Sequence, residues 1–134
     1  MKSRNAIMRL MRFQVDEKRR RVAQIEMMIA DFDRIATDLE REIALEEQRA
    51  GISDKSHFAY PTYARAAMQR KENLIRSTYE LREQLADARR ELGEVSEELE
   101  KLEILDDRER NADSVREQAE MDRIGLAMHG FIRT

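Results

Sequence analysis

Residues 51–68, "GISDKSHFAYPTYARAAM", interrupt a chain that is otherwise mostly charged and aliphatic. Gly51 lies two residues after Arg49, and glycine just past a cation in the last turn is a common helix ending. Pro61, the only proline, is tolerated in the first turn of a helix, where its missing N–H costs nothing. The stretch therefore predicts the end of one helix, a turn over about residues 51–61, and the start of a second helix.

Before the turn, apolar residues recur at alternating steps of three and four. With Met8 at position a of a heptad, only Lys18 and Glu46 interrupt the pattern. Such a run over six heptads predicts a coiled-coil helix over about residues 3–50. The a series is Met8, Val15, Val22, Ile29, Ala36, Ile43 and Ala50. The d series is Met11, Lys18, Ile25, Phe32, Leu39 and Glu46.

The same pattern resumes after Pro61 and stops at Asp106 and Glu109. We predict a second helix over about residues 62–124, whose last part extends beyond the first helix. Gly125 and Gly130 then predict a flexible end over residues 125–134. The a series is Ala64, Lys71, Thr78, Leu85, Leu92 and Leu99. The d series is Ala67, Leu74, Leu81, Ala88, Val95 and Leu102.

The a and d residues of each helix form an apolar seam. Two such seams joined by a short turn are expected to close on each other as an antiparallel hairpin. Pairing residues whose numbers sum to 110 places Val15 against Val95 and Ile25 against Leu85. Charge supports this register, because residues 1–21 carry eight Lys or Arg and two acids, whereas residues 89–109 carry nine acids and four bases. The fold class predicted is all-α: a long two-helix antiparallel coiled-coil hairpin with a C-terminal helical extension.

The composition bounds the protein to a single coiled-coil domain over residues 1–134. Charged residues make up 40% and aromatic residues 5%, which is typical of long helices. Disorder is the competing interpretation of such charge, and the heptads argue against it. The net charge of −3 gives no general attraction to nucleic acid, and the absence of cysteine suits a reducing cytoplasm. No apolar run predicts membrane insertion, although the basic, amphipathic start could alternatively lie on a membrane surface.

Nothing in the sequence predicts catalysis. His57 and His129 would lie at opposite ends of the hairpin, and acid pairs such as Glu97 and Glu98 are typical of a solvated face. No motif indicates a phosphate loop or a zinc site. We therefore expect no enzyme, no catalytic residues, no cofactor and no metal, and we look for function in the surfaces.

Two surfaces are candidate partner sites. The first is the turn, with the aromatic residues Phe58, Tyr60 and Tyr63; alternatively, these rings pack down to close the hairpin end. The second is an apolar edge beside the seam, which offers a site for a third helix or simply shields the core. This edge comprises Ile7, Met28 and Ile35 of the first helix and Met68 and Ile75 of the second.

Three segments carry a resemblance to a known family. They are the start "AIMRLMRFQVDEKRRRVAQIE", the turn "GISDKSHFAYPTYARAAMQRKENL" and the acidic "EELEKLEILDDRER". Together they resemble the FliJ family of bacterial flagellar export proteins, in its alphaproteobacterial branch. The likeness covers most of the chain, and the turn is its most distinctive part. The family has no catalytic signature.

The resemblance implies a stalk-like coiled-coil component of flagellar type III export, located in the cytoplasm and peripheral to the inner membrane at the flagellar base. Its implied partners are the export ATPase ring and the cytoplasmic part of the export-gate membrane protein, and the family is also implicated in handling export chaperones. Two alternatives stay open. One is the stalk protein of a virulence-type secretion system. The other is a coiled-coil factor associated with transcription or nucleic acid, which the aromatic turn fits poorly.

Overall fold

The computed structural model describes residues 2–133, with the side chains of residues 3–130. It contains two helices, α1 over Lys2–Ala50 and α2 over Thr62–Arg133. The described residues contain no strand, so the all-α prediction is confirmed, and the two long helices pack against each other. The bounds predicted for the first helix, and the start of the second, lie within one residue of those observed.

The chain divides into two compact units. The loop unit comprises residues 16–92, and the terminal unit comprises residues 1–15 and 93–134. The core of the loop unit centres on Ile25, the largest fully buried side chain, which is 1% exposed. It clusters with Leu81, Leu85 and Ala88 of α2. Val22, Ile29 and Phe32 pack against this cluster, and all seven residues occupy predicted seam positions.

In the terminal unit, Met8 and Val15 are buried, but the seam does not end where its apolar residues end. We predicted that the pattern fails at Asp106 and Glu109. Instead, Asp106 is 5% exposed, and Glu109 forms an ion pair with Arg4. Arg110, one helical turn further, lies 2.9 Å from the Asp106 carboxylate. Paired charges therefore continue the packed face of α2, which is how buried carboxylates are normally tolerated.

Cross-helix ion pairs follow a consistent order. In the loop unit, successive ion pairs join α1 residues of increasing number to α2 residues of decreasing number. The pairs are Lys18–Glu91 at 2.9 Å, Glu26–Arg89 at 3.1 Å, Asp33–Arg82 at 3.6 Å and Glu40–Lys71 at 2.6 Å. The terminal unit repeats the order with Arg4–Glu109 and Arg12–Glu103.

The basic residues near position 20 do not all form the cross-helix ion pairs that the charge distribution of the sequence suggests. Arg19 and Arg20 bind Asp16 and Glu17 of their own helix, at 4.0 Å and 2.9 Å. Only Lys18 of this run reaches an acid of α2. Short-range pairs three residues apart form easily on a helix surface, and they satisfy these arginines locally.

The predicted end of the second helix at about residue 124 is wrong, because α2 continues to Arg133. Gly125 and Gly130 weaken a helix by about 1 kcal/mol each relative to alanine, but neither blocks a hydrogen bond as proline would. The flexibility predicted for residues 125–134 stays a prediction, and Thr134 lies outside the described residues. Over the part of the chain that is described, neither helix has a stretch sufficiently long and apolar to cross a membrane.

Candidate functional site

The loop between the helices begins with a glycine cap. Gly51 has a φ of 66°, in the left-handed region that glycine adopts without strain. Its N–H donates to the Gln48 carbonyl, and the N–H of Ile52 donates to the Glu47 carbonyl, both at 3.3 Å. This pair of bonds is the Schellman arrangement, which satisfies the last carbonyls of a helix. The role predicted for Gly51 is confirmed.

Side-chain hydrogen bonds hold the middle of the loop. The Asp54 carboxylate accepts the Ser56 hydroxyl at 2.7 Å and the Ser56 N–H at 3.0 Å, and these bonds lower the pKa of Asp54. The His57 Nδ1 accepts the Ala59 N–H at 3.0 Å. The loop is therefore ordered by its own polar groups, as is typical of turns rich in Asp and Ser.

Phe58 is almost fully exposed on this loop. Its side chain is 94% exposed, and its ring stacks on the His57 ring with 4.8 Å between centroids. Because apolar side chains stabilise a fold mainly by being buried, this exposed ring adds little to the stability of the monomer. Since the backbone on both sides is held by hydrogen bonds, Phe58 is presented in a defined place.

Tyr60 does not belong to the exposed surface, contrary to our prediction. It is 4% exposed, and its hydroxyl donates to Glu47 at 2.7 Å. The Arg65 guanidinium lies over its ring at 5.6 Å from the centroid. Burial, followed by the bond to Glu47, raises the pKa of the Tyr60 phenol. This ring closes the end of the helix pair, which was the alternative interpretation of the aromatic turn.

The exposure of Tyr63 is intermediate between those of Phe58 and Tyr60. It is 57% exposed, and its hydroxyl donates to the Glu42 carboxylate at 2.7 Å, a bond that raises the pKa of the Tyr63 phenol. The bond ties the ring to α1 and leaves more than half of it in solvent. Tyr63 therefore remains available for a partner.

The predicted apolar edge is divided between two flanks of the helix pair in the loop unit. Met68 lines a cavity of about 350 Å³ together with Glu40 and Glu47 of α1. Ile75, 53% exposed, lines another of about 210 Å³ with Asp33. Residues seven apart share a helix face, so these α1 residues mark a single flank.

Met28 and Ile35 lie on the other flank. Glu26 lies seven residues before Asp33 and therefore on the first flank. Met28 is two residues after Glu26, a rotation of about 200° around α1, so it faces the opposite side. Met28 and Ile35 instead share a face with Glu42, the partner of Tyr63. Met28 is 42% exposed and Ile35 is partly buried. The structure therefore does not bring the four loop-unit residues of the predicted edge together, and each flank carries two of them.

Some exposed apolar residues were not predicted as site residues. Tyr79, 68% exposed, extends the cavity lined by Ile75. In the terminal unit, Leu10 and Phe13 are 58% and 60% exposed on α1, near Ile7, which belongs to the predicted edge and is 48% exposed. The spacing of three between Ile7, Leu10 and Phe13 is the sequence signal for this exposed face, and the intervening basic residues make it less evident. Comparison with protein-family models, curated proteins and solved structures found no match to this chain.

Proposed function

We propose that this protein is a non-enzymatic coiled-coil component of the flagellar type III export apparatus, linking the export ATPase ring to the membrane export gate. The two helices form an antiparallel coiled-coil hairpin whose paired residue numbers add to about 110. The order of the cross-helix ion pairs supports this arrangement, since Lys18 meets Glu91 and Arg4 meets Glu109. The assignment to flagellar export rests on the resemblance of the start, turn and acidic segments to the FliJ family.

The observation that carries the proposal is the exposure of Phe58 on an ordered loop. Because hydrogen bonds already order the backbone of the loop in the free protein, little backbone entropy is lost when a partner buries this side chain. Aromatic side chains, phenylalanine included, are enriched in the buried cores of protein interfaces. The loop therefore has the properties of a protein-binding site.

The two units serve different partners. The loop unit, through Phe58 and Tyr63, contacts the cytoplasmic part of the export gate or an export chaperone. The terminal unit contacts the ATPase ring, and its exposed Leu10 and Phe13 supply apolar contact area. The protein then resides in the cytoplasm, peripheral to the inner membrane at the flagellar base.

Replacing Phe58 with serine is expected to weaken binding to the gate domain or a chaperone by about 30-fold, which corresponds to about 2 kcal/mol for an aromatic anchor. Affinity for the ATPase should be unchanged, because Phe58 belongs to the other unit. Phe13→Ser is the matched control, since it also removes an exposed phenylalanine. The control should retain gate or chaperone binding. Isothermal titration with purified partners measures both affinities.

Circular dichroism first establishes that both variants keep wild-type helicity. Equal effects of Phe58→Ser and Phe13→Ser on every partner would contradict the division between the units. Failure of the wild-type protein to bind the ATPase, the gate domain and the chaperones would contradict the assignment to flagellar export itself.

A further inference from the structure

The last part of α2 is a helix with no covering contacts. Every side chain over residues 111–130 is exposed, including Val115 at 69% and Leu126 at 75%. Most of the stability of a helix in a protein comes from tertiary packing, which this segment lacks. An apolar partner on this segment would therefore add stability as well as contact area.

One face of this segment extends back onto the paired part of α2. At 100° per residue, seven residues fall within an arc of about 80°. We call this set the overhang stripe, and it comprises Ile104, Arg108, Ala112, Val115, Ala119, Asp122 and Leu126. All seven lie in the terminal unit. The mean spacing is about 3.67 residues, which keeps a stripe on one side of a nearly straight helix.

The overhang stripe is nearly symmetric about Val115. Ile104 and Leu126 lie eleven residues on either side of it, and Arg108 and Asp122 lie seven residues on either side. If two copies of α2 cross antiparallel at Val115, each Ile104 meets the Leu126 of the other copy. Each Arg108 likewise meets an Asp122. A twofold interface needs this self-complementarity.

The charges of the stripe are free to make these contacts. Arg110 pairs with Asp106, and Arg116 pairs with Asp113, within α2. Among the side chains that the structure describes, by contrast, Arg108 forms no ion pair. Over the same described residues, Asp122 accepts the amide of Gln118 at 3.1 Å and forms no ion pair. Opposite charges that lack a partner in the monomer fit an interface between copies.

We propose that a second copy of this chain binds here, and that the overhang stripes of the two copies pack antiparallel in a homodimer centred on Val115. The stripe spans about 33 Å of helix and is narrow, so the buried area falls at the lower end of the range for specific complexes. The dimer is accordingly weak, with dissociation at micromolar or higher concentration. The proposal is independent of the flagellar assignment.

The test exploits charge reversal at the two symmetric positions. Arg108→Asp places aspartate against Asp122 in both halves of the dimer, and Asp122→Arg places arginine against Arg108. Each variant alone should dissociate at about tenfold higher concentration than wild type. An equimolar mixture of the two variants should recover wild-type association, because every facing pair is again opposite in charge. Sedimentation equilibrium of the full chain up to several hundred micromolar measures these constants.

Two further variants fix the location. Val115→Glu, at the centre, should abolish association, whereas Glu117→Gln on the opposite face of α2 should leave it unchanged. A wild-type protein that stays monomeric over this concentration range overturns the proposal. So does association that is insensitive to Val115→Glu, or a mixture that associates no better than its components. Circular dichroism confirms that each variant remains helical.

Discussion

Replacing Ile25 with alanine is expected to lower the free energy of unfolding of the loop unit by about 2–5 kcal/mol. Ile25 is 1% exposed and contacts Leu81, Leu85 and Ala88 across the helix interface. Truncation removes buried methyl groups and leaves a cavity that two long helices can fill only in part. Urea unfolding followed by circular dichroism measures the change.

Ile75→Ala is the matched control, because it makes the same chemical change on the same pair of helices. Ile75 is 53% exposed, so its truncation should change the unfolding free energy by less than about 0.5 kcal/mol. Equal losses for the two variants would contradict a core centred on Ile25. They would also imply that Ile75 is covered in solution.

The second large effect is expected at the loop. Tyr60→Ala should lower the melting temperature by on the order of 10 °C, because it removes a buried ring that closes the end of the helix pair. It also leaves the Glu47 carboxylate without the hydroxyl that it accepts. Differential scanning calorimetry at neutral pH gives the melting temperature directly.

Phe58→Ala provides the comparison two residues away. Its ring is 94% exposed, so its loss should move the melting temperature by no more than about 2 °C. If Phe58→Ala destabilises the protein as much as Tyr60→Ala, Phe58 is a packing residue in solution. Its assignment as a partner contact would then fail.

The packed positions of both helices were predictable from apolar spacing. Lys71 and Thr78 occupy seam positions despite their polarity, and Thr78 is 6% exposed, as the heptad register requires. A register is determined by all of its members together, so a few polar residues do not displace it. Ala50, the last predicted a residue, is exposed because α1 ends there.

The charged end of the seam was not predictable in the same way. Hydrophobic periodicity identifies apolar residues, and it interprets Asp106 and Glu109 as solvent-facing. Glu109 pairs with Arg4, roughly a hundred residues away in sequence, and Asp106 pairs with Arg110 of its own helix. The bond from Arg4 lowers the pKa of Glu109 and raises that of the guanidinium. Stability from Glu109 is therefore present above its unfolded pKa and is lost as pH falls through the lower folded value.

The candidate site was only partly predictable for a related reason. Three aromatic residues within six positions indicate a special loop, but loop geometry decides which ring is buried. Phe58 and Tyr60 are two residues apart and have opposite exposures. Likewise, Met28 and Ile75 both lie beside the seam, and the cross-helix contacts place them on different flanks.

Disulfide crosslinking in the terminal unit tests the hairpin register, on which the proposed function depends, most directly. The natural chain has no cysteine, so a pair introduced by Val15→Cys and Val95→Cys reports on one contact alone. A disulfide requires Cα atoms about 4.4–6.8 Å apart. We predict rapid oxidation within one chain for this pair, and none for Val15→Cys with Leu102→Cys, which is shifted by one heptad. Crosslinking only between chains, or faster crosslinking of the shifted pair, would contradict the hairpin or its register.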